Sequence, residues 1–495
     1  MTEELRSRVE EARREKLDAL RARGIQPYAY GYDRTHTAAE AIAAYSADEQ
    51  VQVQVAGRLV SRRGHGKTTF GHLRDGTGRV QVYLRKDDVG NDAYELVKLL
   101  DLGDHVGVAG YMFQTKTGEV TVHAEQIVLL SKALRPPPIG KEDATGETHS
   151  GLTDVEMRYR QRYADLLTHP EVGDTFRLRA QVINYIRRFL DARSYLEVET
   201  PVLQPVYGGA LARPFVTHHN ALDARFYLRI ATELYLKRCI VGGIERVYEI
   251  GKDFRNEGMD RQHNPEFTML EFYQAYADYN DIMDLVEEMV HDLVVELYDG
   301  SVIERFGVKF EFGRPWPRLS YIELVEMHAK VNLAEADDDT LRDLLRKREV
   351  PDLDPMPRTK LLDEVFKEYV ERHLEQPTFV VDFPLELSPL AKPKRGDPSL
   401  AERFELFVGG QELANAFSEL NDPDDQRTRF QAQSAARDAG DQDAHQVDDD
   451  YVRALEYGMP PTGGCGLGID RLVMLLAEEH SIRDVILFPT LRPEE

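Results

Sequence analysis

The chain has 495 residues, which corresponds to two to four domains at roughly 150 residues each. Hydrophobic residues make up 42% and charged residues 30%, and 87 Asp and Glu outnumber 62 Lys and Arg, for a net charge of −25. This composition is typical of a globular protein and excludes a uniformly basic surface, while two cysteines exclude a disulfide framework and a thiolate zinc site. We expect a cytoplasmic protein without a membrane segment, because no run reaches the ~18 apolar residues of a membrane span and the N-terminus lacks a signal pattern.

The N-terminal part of the chain predicts a helix followed by a small β-barrel. Residues 3–23 carry apolar side chains at helical spacing and Gly24 ends this pattern, so 1–48 is predicted to be a helical extension. From Val51 the apolar period changes to two. About five strand-like runs follow, with turn residues between them, at 51–55, 69–73, 80–84, 105–111 and 119–128. Short strands with this spacing favour an OB-fold over 49–134.

The barrel region reverses the acidic charge of the chain. Between residues 51 and 86, eight Lys and Arg residues stand against one acid, Asp75. Such a basic stretch is either a surface for phosphate groups or an ordinary solvated face, and charge alone leaves both interpretations open. Phe70 and Gln81 lie on neighbouring predicted strands, where one could stack on a base and the other could read its edge. Either side chain could equally belong to the core or to plain surface.

The C-terminal part alternates helices with strands. A polar, proline-rich stretch, 135–152, is predicted as a linker, and a second domain then spans 153–495. In it, 175–193 has the period of an amphipathic helix, and 197–203 is strand-like with a break at Pro201. Further helices are predicted at 280–298 and 359–374. Because the strands resemble antiparallel hairpins without βαβ regularity, we predict an α+β fold, with an N-terminal β-barrel and a C-terminal antiparallel sheet flanked by helices.

Two glycine-rich segments imitate nucleotide-binding loops. The segment 64–68 ends like a P-loop, but Ser61 stands where the first glycine belongs and a strand-like pattern follows, so a P-loop is excluded. The segment 464–468 lacks the context of a dinucleotide site. It does lead into a predicted helix, 469–479, with Arg471 in its first turn, and this arrangement can hold a phosphate. A tight packing turn remains the alternative for these glycines.

The segment 246–276 has the strongest signature of a functional site. It predicts a strand up to Arg255, a polar loop and a second strand. The two-residue period places four side chains on one face of the second strand, namely Phe267, Met269, Glu271 and Tyr273. An aromatic ring, a carboxylate and a phenol beside an arginine are unfavourable in a core and plausible in a binding site.

Several segments of the chain resemble a known enzyme family. The segments 254–258 and 261–268 resemble motif 2 of the class II aminoacyl-tRNA synthetases, 466–472 resembles motif 3, and 175–201 resembles motif 1, through which the family forms dimers. The lysine-specific members are the most similar, in the segments 208–215, 217–220, 233–238 and 404–419. Thr232 and Cys465 depart from the family pattern at uncharged positions. The resemblance implies a class II synthetase domain over 153–495, an OB-fold that binds the anticodon of tRNA(Lys), and a homodimer built around Pro201.

The resemblance also implies the roles of individual residues at an ATP site. Arg255 would hold the α-phosphate and the carboxylate of the amino acid, and Arg471 would hold the γ-phosphate. Phe267 would stack on adenine, while Glu257 and His263 would contact ATP around the loop. These assignments place both catalytic arginines at the phosphates.

A metal pair, a lysine pocket and anticodon contacts are implied in the same way. Glu405 and Glu412 would bind Mg²⁺, a cation that prefers hard oxygen ligands and bridges phosphates. The residues implied for lysine are Gly209, Glu233, Glu271, Tyr273, Asn415, Phe417 and Glu419. Glu233 and the Gly209 backbone would serve the α-amino end, and Glu419 with Tyr273 would serve the ε-ammonium. The expected anticodon contacts are Arg62, Arg63, Phe70 and Gln81.

The two metal-binding glutamates flank a predicted hairpin. Gly409 and Gly410 form its two-residue turn. The ideal register places Phe407 opposite Glu412, so Glu405 and Glu412 share one face. Regular pairing would turn three other site residues to the opposite face: Asn415, Phe417 and Glu419. We therefore predict a β-bulge or a strong twist after Glu412.

The implied reaction joins lysine and ATP to lysyl-adenylate and pyrophosphate, and then transfers the lysyl group to the 3′-terminal adenosine of tRNA. Two alternatives remain. An aspartyl- or asparaginyl-tRNA synthetase would need a basic pocket, which Glu271 and Glu419 oppose. A non-catalytic RNA-binding relative could lose the charged motif residues, yet both arginines and both metal-binding glutamates are present.

Overall fold

The structure is a computed structural model that describes residues 3–138, 141–142, 148–149, 151–438 and 447–494. The predicted linker, 135–152, falls partly on positions 139–140, 143–147 and 150, which lie outside the described residues. The chain divides into two compact units, Met1–Pro170 and Glu171–Glu495. The limits predicted for the helical extension, the barrel, the linker and the second domain stay predictions.

The first unit begins with the predicted helix. Its helices are α1 Glu3–Ala22, α2 Ala38–Ala43, α3 Lys86–Val89, α4 Asn91–Leu99, α5 Val155–Arg160 and α6 Arg162–Thr168. Its strands are β1 Gln52–His65, β2 Thr68–Asp75, β3 Gly78–Arg85, β4 His105–Gln114, β5 Val120–Ser131, β6 Lys141–Glu142 and β7 Thr148–His149. The helix expected at 3–23 is confirmed as α1, and Gly24 after it has a φ of +70°, the left-handed conformation that commonly ends helices.

Five strands of the first unit close into a barrel, in the order β1-β2-β3-β5-β4. Alternate side chains point inward and build a core that contains Val53, Val82, Val108 and Val122. The predicted OB-fold is therefore confirmed. The segment 64–68 forms the hairpin turn between β1 and β2, so the exclusion of a P-loop is confirmed as well.

The second unit contains the remaining elements. Its helices are α7 Val172–Asp191, α8 Glu233–Val241, α9 Tyr279–Tyr298, α10 Tyr321–Ala329, α11 Asp338–Arg346, α12 Arg358–Tyr369, α13 Pro423–Asp438, α14 Asp449–Glu456 and α15 Ile469–Ala477. Its strands are β8 Leu196–Glu197, β9 Leu203–Gln204, β10 Val216–His219, β11 Ala224–Leu228, β12 Arg246–Phe254, β13 Glu266–Ala275, β14 Val302–Arg305, β15 Val308–Glu311, β16 Arg318–Ser320, β17 Thr378–Pro384, β18 Pro393–Lys394, β19 Asp397–Val408, β20 Gln411–Ser418 and β21 Thr462–Gly468. Two 3-10 turns cover Glu371–His373 and Leu385–Leu387.

A large sheet organises the second unit, with the strand order β16-β17-β19-β20-β21-β13-β12-β8 and with β18 paired to β19. The strands from β17 to β12 run antiparallel, as predicted. The outer pairs, β16–β17 and β12–β8, are parallel, so the sheet is mixed rather than purely antiparallel. Apolar side chains of α7, α9 and α15 cover one face of the sheet. Two further apolar clusters pack other parts of the sheet against α8 with α14 and against α10 to α12.

Most predicted elements of this unit are present, with one helix shorter than expected. The helices expected at 175–193 and 280–298 are confirmed as α7 and α9. The helix expected at 359–374 ends at Tyr369. The break predicted at Pro201 in the strand-like segment 197–203 is confirmed, because two short strands form there. In the split strand, β8 pairs with β12 and β9 pairs with β11, because Pro201 has no N–H group to donate to a strand ladder. Among the described residues, no helix has the length and the apolar content that crossing a membrane demands.

Candidate active site

A cavity of about 340 Å³ opens on the sheet face opposite α7, α9 and α15. Side chains of β13, β20 and β21, the start of α8 and the loop between β12 and β13 line it. All residues predicted for ATP or lysine are in the lining, namely Arg255, Glu257, His263, Phe267, Arg471, Gly209, Glu233, Glu271, Tyr273, Asn415, Phe417 and Glu419. Of the predicted metal pair, Glu412 lines the cavity and Glu405 does not.

Strand β13 orders the cavity along its length. Phe267, Met269, Glu271 and Tyr273 follow one another on one face of this strand and span about 20 Å at ~3.3 Å per residue. Phe267 is half-buried at one end, whereas Tyr273 is 3% exposed at the other. The guanidinium carbon of Arg255 lies 5.0 Å from the centroid of the Phe267 ring. The cavity therefore has an open end with an arginine and a closed, buried end.

The hairpin of β19 and β20 contains the predicted bulge. Phe407 pairs with Glu412, as expected from the two-glycine turn. Leu406, however, pairs with Ala414, so Leu413 is an extra residue without a partner across the hairpin. The alternation of side chains changes at such a residue. The side chains that share the cavity side of the hairpin are Glu405, Glu412, Asn415 and Phe417.

The glycines at 464–468 lie in strand β21, so the interpretation as a tight packing turn is wrong. Their missing side chains leave room in the cavity. A Cβ atom on Gly464 would overlap Oε1 of Glu419 and Cε1 of Tyr273. Cys465, which departs from the family pattern, belongs to the apolar core on the opposite face. The close approach of the cavity side chains therefore requires glycine at 464.

Carboxylates accumulate at the closed end of the cavity. Glu233, Glu271 and Glu419 are 5%, 6% and 0% exposed. Tyr273 and the Thr232 N–H each donate a hydrogen bond to Glu271 at 3.2 Å, and burial together with neighbouring carboxylates raises the pKa of Glu271 to about 8. Glu419 pairs with Lys237 of α8 and has no other polar partner among the described residues. Buried acids in this state indicate a cationic ligand.

The structure adds two cationic residues that the sequence does not single out. Lys237 is 0% exposed, and its Nζ lies 2.5 Å from Oε1 of Glu233. Arg403 lies on β19 and donates a hydrogen bond to Glu405 at 2.5 Å. The spacing contained a signal, because Lys237 follows Glu233 by four residues in a helix and Arg403 precedes Glu405 by two in a strand. Both spacings are also common on solvated surfaces, so they do not distinguish a site.

The open end of the cavity carries donors for an anion. Arg471 donates a hydrogen bond from Nη1 to the carbonyl oxygen of Glu412 at 2.8 Å. Its Nη2 lies 3.4 Å from Nε2 of His263, whose Nδ1 lies 2.9 Å from Asp260. The Nε atom of Arg255 is buried without a hydrogen-bond partner among the described residues. Two guanidinium groups and a histidine at one end are suited to phosphate and carboxylate groups.

Glu405 and Glu412 lie on neighbouring strands and on the same side of the hairpin. Burial raises the pKa of Glu405 to about 8; Arg403 opposes this rise and Glu412 adds to it. In the part of the chain that the structure describes, no group of three or more His, Cys, Asp or Glu side chains is arranged to hold a metal by itself. A pair of carboxylates fits Mg²⁺, which keeps water and phosphate oxygens as its other ligands.

The barrel brings together three of its four predicted nucleic-acid contacts. Arg63 pairs directly with Phe70 across β1 and β2, and Phe70 is 37% exposed. Gln81 lies on the same outer face, where its amide donates a hydrogen bond to Glu119 at 2.6 Å. Arg62 points the other way and donates to two carbonyl oxygens at the C-terminal end of α4, at 2.8 and 2.6 Å. Arg62 is thus placed apart from the exposed aromatic face.

Comparison with known proteins finds relatives over nearly the whole chain. Residues 154–492 match the family described as tRNA synthetases class II (D, K and N), and residues 53–130 match the OB-fold nucleic acid binding domain. The lysine–tRNA ligase of Pelotomaculum thermopropionicum is 53% identical, over 98% of this chain and 94% of its own length. The lysine–tRNA ligases of Enterococcus faecalis and Bacillus subtilis are 50% and 48% identical, over 99% of this chain and 100% and 98% of their own lengths. The chain therefore belongs to the class II tRNA synthetases and, within them, to the family of the lysine–tRNA ligases.

Proposed function

We propose that the cavity activates L-lysine with ATP and that the chain then transfers the lysyl group to tRNA(Lys). In the first step, a carboxylate oxygen of lysine attacks the α-phosphorus of ATP, which forms lysyl-adenylate and releases pyrophosphate. In the second step, the 3′-terminal adenosine hydroxyl of the tRNA attacks the lysyl carbonyl carbon and AMP leaves. The buried carboxylates carry this proposal, because Glu233, Glu271 and Glu419 line the cavity at the end away from Arg255 and Arg471, and Lys237 pairs with only two of them.

Lysine fits the closed end of the cavity by charge. Its α-ammonium would bind Glu233 beside the backbone of Gly209, and its ε-ammonium would bind Glu419 beside Tyr273. Gly209 has a φ of +92°, and a Cβ atom there would lie 3.1 Å from the Cβ of Glu233, so a side chain would crowd this end. The remaining wall residues are Glu271, Asn415 and Phe417. A buried carboxylate rejects an uncharged analogue strongly, since the carboxylate would be left unpaired.

ATP fits the open end of the cavity. Phe267 would stack on adenine and Arg471 would bind the γ-phosphate, while Glu257 and His263 would contact the nucleotide around the loop. Arg255 lies beside Phe267, where its guanidinium would bind both the α-phosphate and the lysine carboxylate. Holding these two anions in line offsets their repulsion, so positioning and electrostatic stabilisation account for most of the rate enhancement that we propose.

Mg²⁺ is the cation that we propose for Glu405 and Glu412. When bound, it would offset the negative charge of the triphosphate. Arg403 and Arg471 hold the two carboxylates in place through hydrogen bonds of 2.5 Å to Glu405 and 3.2 Å to Glu412. The raised pKa of Glu405 supports this proposal, because it indicates a carboxylate that still lacks part of its counter-charge.

The charge of the closed end argues against both alternatives. Aspartate or asparagine offers a single ammonium group, which together with Lys237 would offset only two of the three buried glutamate charges. A non-catalytic RNA-binding relative gains nothing from two arginines and three buried acids that converge on one cavity.

A panel of amino acids in ATP–pyrophosphate exchange tests the proposed function. We expect exchange with L-lysine and a kcat/KM lower by on the order of 10⁴-fold with norleucine, which keeps the aliphatic chain and lacks the ε-ammonium. L-Aspartate and L-asparagine are the further comparisons. Exchange with either of them in place of lysine would support the first alternative, and exchange with no amino acid would support the second.

We propose the outer face of the barrel around Phe70 as the anticodon site. Phe70→Ala should raise the KM for tRNA(Lys) by about tenfold, because stacking of a base on an aromatic ring contributes ~1–3 kcal/mol.

Arg63→Ala should weaken tRNA binding and reduce the salt dependence of binding by the equivalent of about one phosphate contact. Aminoacylation kinetics and binding at several salt concentrations measure both effects. Lysine-dependent exchange should stay unchanged, because these residues lie in the barrel and not at the cavity.

Arg62→Ala is the matched control for Arg63→Ala. It removes two hydrogen bonds to the end of α4, so it should lower the stability of the barrel by on the order of 1 kcal/mol. Thermal unfolding separates this effect from a loss of tRNA contact. Equal losses of tRNA binding in both variants, at a temperature where both are folded, would contradict the assignment of Arg63.

We also propose that the chain forms a homodimer through the region around Pro201. Four apolar side chains there are exposed by 39–59%: Leu196, Val202, Leu203 and Val216. These exposed apolar side chains lie within the short segment 196–216, and apolar surface is typical of protein interfaces, which supports the proposal. The cytoplasmic location stays a prediction from the sequence.

A further inference from the structure

The closed end of the cavity contains an ammonium group that belongs to the protein itself. Lys237 of α8 is 0% exposed, and its Nζ lies 2.5 Å from Oε1 of Glu233. It forms a second ion pair with Glu419. The same nitrogen lies 5.8 and 5.5 Å from the ring centroids of Tyr273 and Phe417. A resident ammonium thus contacts both carboxylates that we assign to the two ammonium groups of the substrate.

A buried ammonium strongly affects buried carboxylates. Burial raises the pKa of Glu233 and of Glu419, and Lys237 is the strongest influence that lowers each of them. Burial lowers the pKa of Lys237, but the charges of the two glutamates outweigh this and leave its pKa raised, so Lys237 is protonated. Without this charge, two desolvated carboxylates would repel each other and take up a proton.

Counting the charges at the closed end indicates a role for Lys237. Three glutamates line it, and Lys237 offsets one of their charges, which leaves two for the two ammonium groups of lysine. We propose that Lys237 is a positioning residue, which holds the carboxylates of Glu233 and Glu419 ionised and aimed at the substrate. It thereby sets the charge of the pocket for a doubly charged amino acid. This proposal rests on the assignment of Glu233 and Glu419 to lysine made above.

The packing of α8 supports a fixed position for this ammonium. Leu234, Leu236 and Ile240 of α8 belong to one buried cluster with Tyr451 and other residues of α14. Lys237 lies within this packed helix and has no exposed surface through which it could swing to solvent. In a competing role, Lys237 would be a plug: it would occupy the ammonium position in the empty pocket and move away when lysine binds. This movement would require the packing of α8 to open.

Lys237 forms ion pairs with Glu233 and Glu419, so Glu271 is the glutamate from which we expect a proton loss near neutral pH. The charged and titratable groups that face Glu233 and Glu419 are Lys237 of α8, Glu271 and Tyr273 of β13, Arg403 of β19 and Tyr451 of α14, while the Cys465 thiol lies on the opposite face of the sheet. Burial raises the pKa of both tyrosines and of the cysteine further from neutrality. The pKa of Glu271 is raised to about 8, mainly by burial, so it should lose its proton when lysine binds.

Lys237→Met tests the proposal, because methionine keeps an unbranched side chain that is only one atom shorter and removes its charge. We expect the KM for lysine in ATP–pyrophosphate exchange at pH 7 to rise by on the order of 100-fold, with smaller changes in kcat and in the KM for ATP. This defect should shrink as the pH rises from 6.5 to 8, because the glutamates regain their charge. Lys237→Arg keeps a charge and should restore part of the lysine affinity.

Tyr451→Phe is the matched control. It removes a buried hydroxyl that has no hydrogen-bond partner among the described residues, and it removes no charge. Its KM for lysine should stay within about twofold of the unmodified protein. Thermal unfolding of each variant reports the effect of the substitution on packing alone.

Three results for Lys237→Met would overturn the proposal. Tighter lysine binding would identify Lys237 as a plug, and an unchanged KM at every pH would remove its role. A KM raised equally at pH 6.5 and 8, without recovery in Lys237→Arg, would indicate a purely structural residue.

If Lys237→Met does not fold, the pH dependence of lysine binding by the unmodified protein tests the proposal instead. Between pH 6.5 and 8, the logarithm of its KM for lysine should fall by no more than about one per pH unit, because only Glu271 has to lose a proton. A slope near two would mean that Glu233 or Glu419 also loses one, against the proposal. Failure of the proposed function is a separate outcome, since the unmodified protein would then lack lysine-dependent exchange at every pH.

Discussion

Arg255→Ala should lower the rate of lysine-dependent ATP–pyrophosphate exchange by on the order of 1,000-fold or more. Its guanidinium is the group proposed to hold the α-phosphate and the lysine carboxylate together, and no other cation is proposed for both. The Nε of Arg255 has no hydrogen-bond partner among the described residues, so the truncation should cost little stability. Exchange kinetics together with thermal unfolding measure the two effects.

Arg261→Ala is the control for this loss. Arg261 is an exposed residue of the same loop and does not line the cavity, so exchange should stay within about twofold of the unmodified rate. Arg255→Lys should recover only part of the activity, because an ammonium cannot make the paired contacts of a guanidinium. Normal exchange by a folded Arg255→Ala protein would refute the role of Arg255.

Gly464→Ala should raise the KM for lysine by on the order of 100-fold. The added methyl group would overlap Oε1 of Glu419 and the ring of Tyr273, so both side chains would have to move from the positions proposed to hold the ε-ammonium. A displacement of about 1 Å at a reacting or recognising group is enough for a loss of this size. Steady-state exchange with varied lysine and with varied ATP gives the two KM values separately. The increase should lie mainly in the KM for lysine.

Gly466→Ala provides a matched comparison two residues along the same strand. A Cβ atom there would lie 3.3 Å from Cε of Met269, the flexible end of a side chain that can shift by a few tenths of an ångström. Its effect on the KM for lysine should therefore be much smaller. If both alanine variants bound lysine equally well, the close packing at Gly464 would have no role in recognition.

The spacing of apolar and polar residues along the chain predicted the strands and helices that such spacing determines. The two-residue period identified the barrel strands, and the same period placed Glu271 and Tyr273 together on one side of β13. The bulge at Leu413 required a different argument, since no local pattern marks it. It followed from the demand that Glu412 and Asn415 face one cavity, which is a constraint of function and not of propensity.

Tertiary contacts decided the features that the sequence did not reveal. Lys237 has the spacing of a common surface ion pair, and only the packing of α8 against its neighbours buries it. Strand alternation places Arg62 and Arg63 on opposite faces, but the irregularity between Leu59 and Ser61 in β1 decides which of them faces outward. The parallel outer strands of the sheet likewise depend on connections that no local pattern reports.

The unpaired Leu413 restricts how the chain can vary in length. Glu412 and Asn415 are three positions apart, and they share one side of the hairpin because Leu413 is accommodated as an extra residue. Adding or deleting one residue between them would have to remove this bulge for both side chains to keep their facing. Loop grafts at this hairpin should therefore transfer the bulge together with the turn.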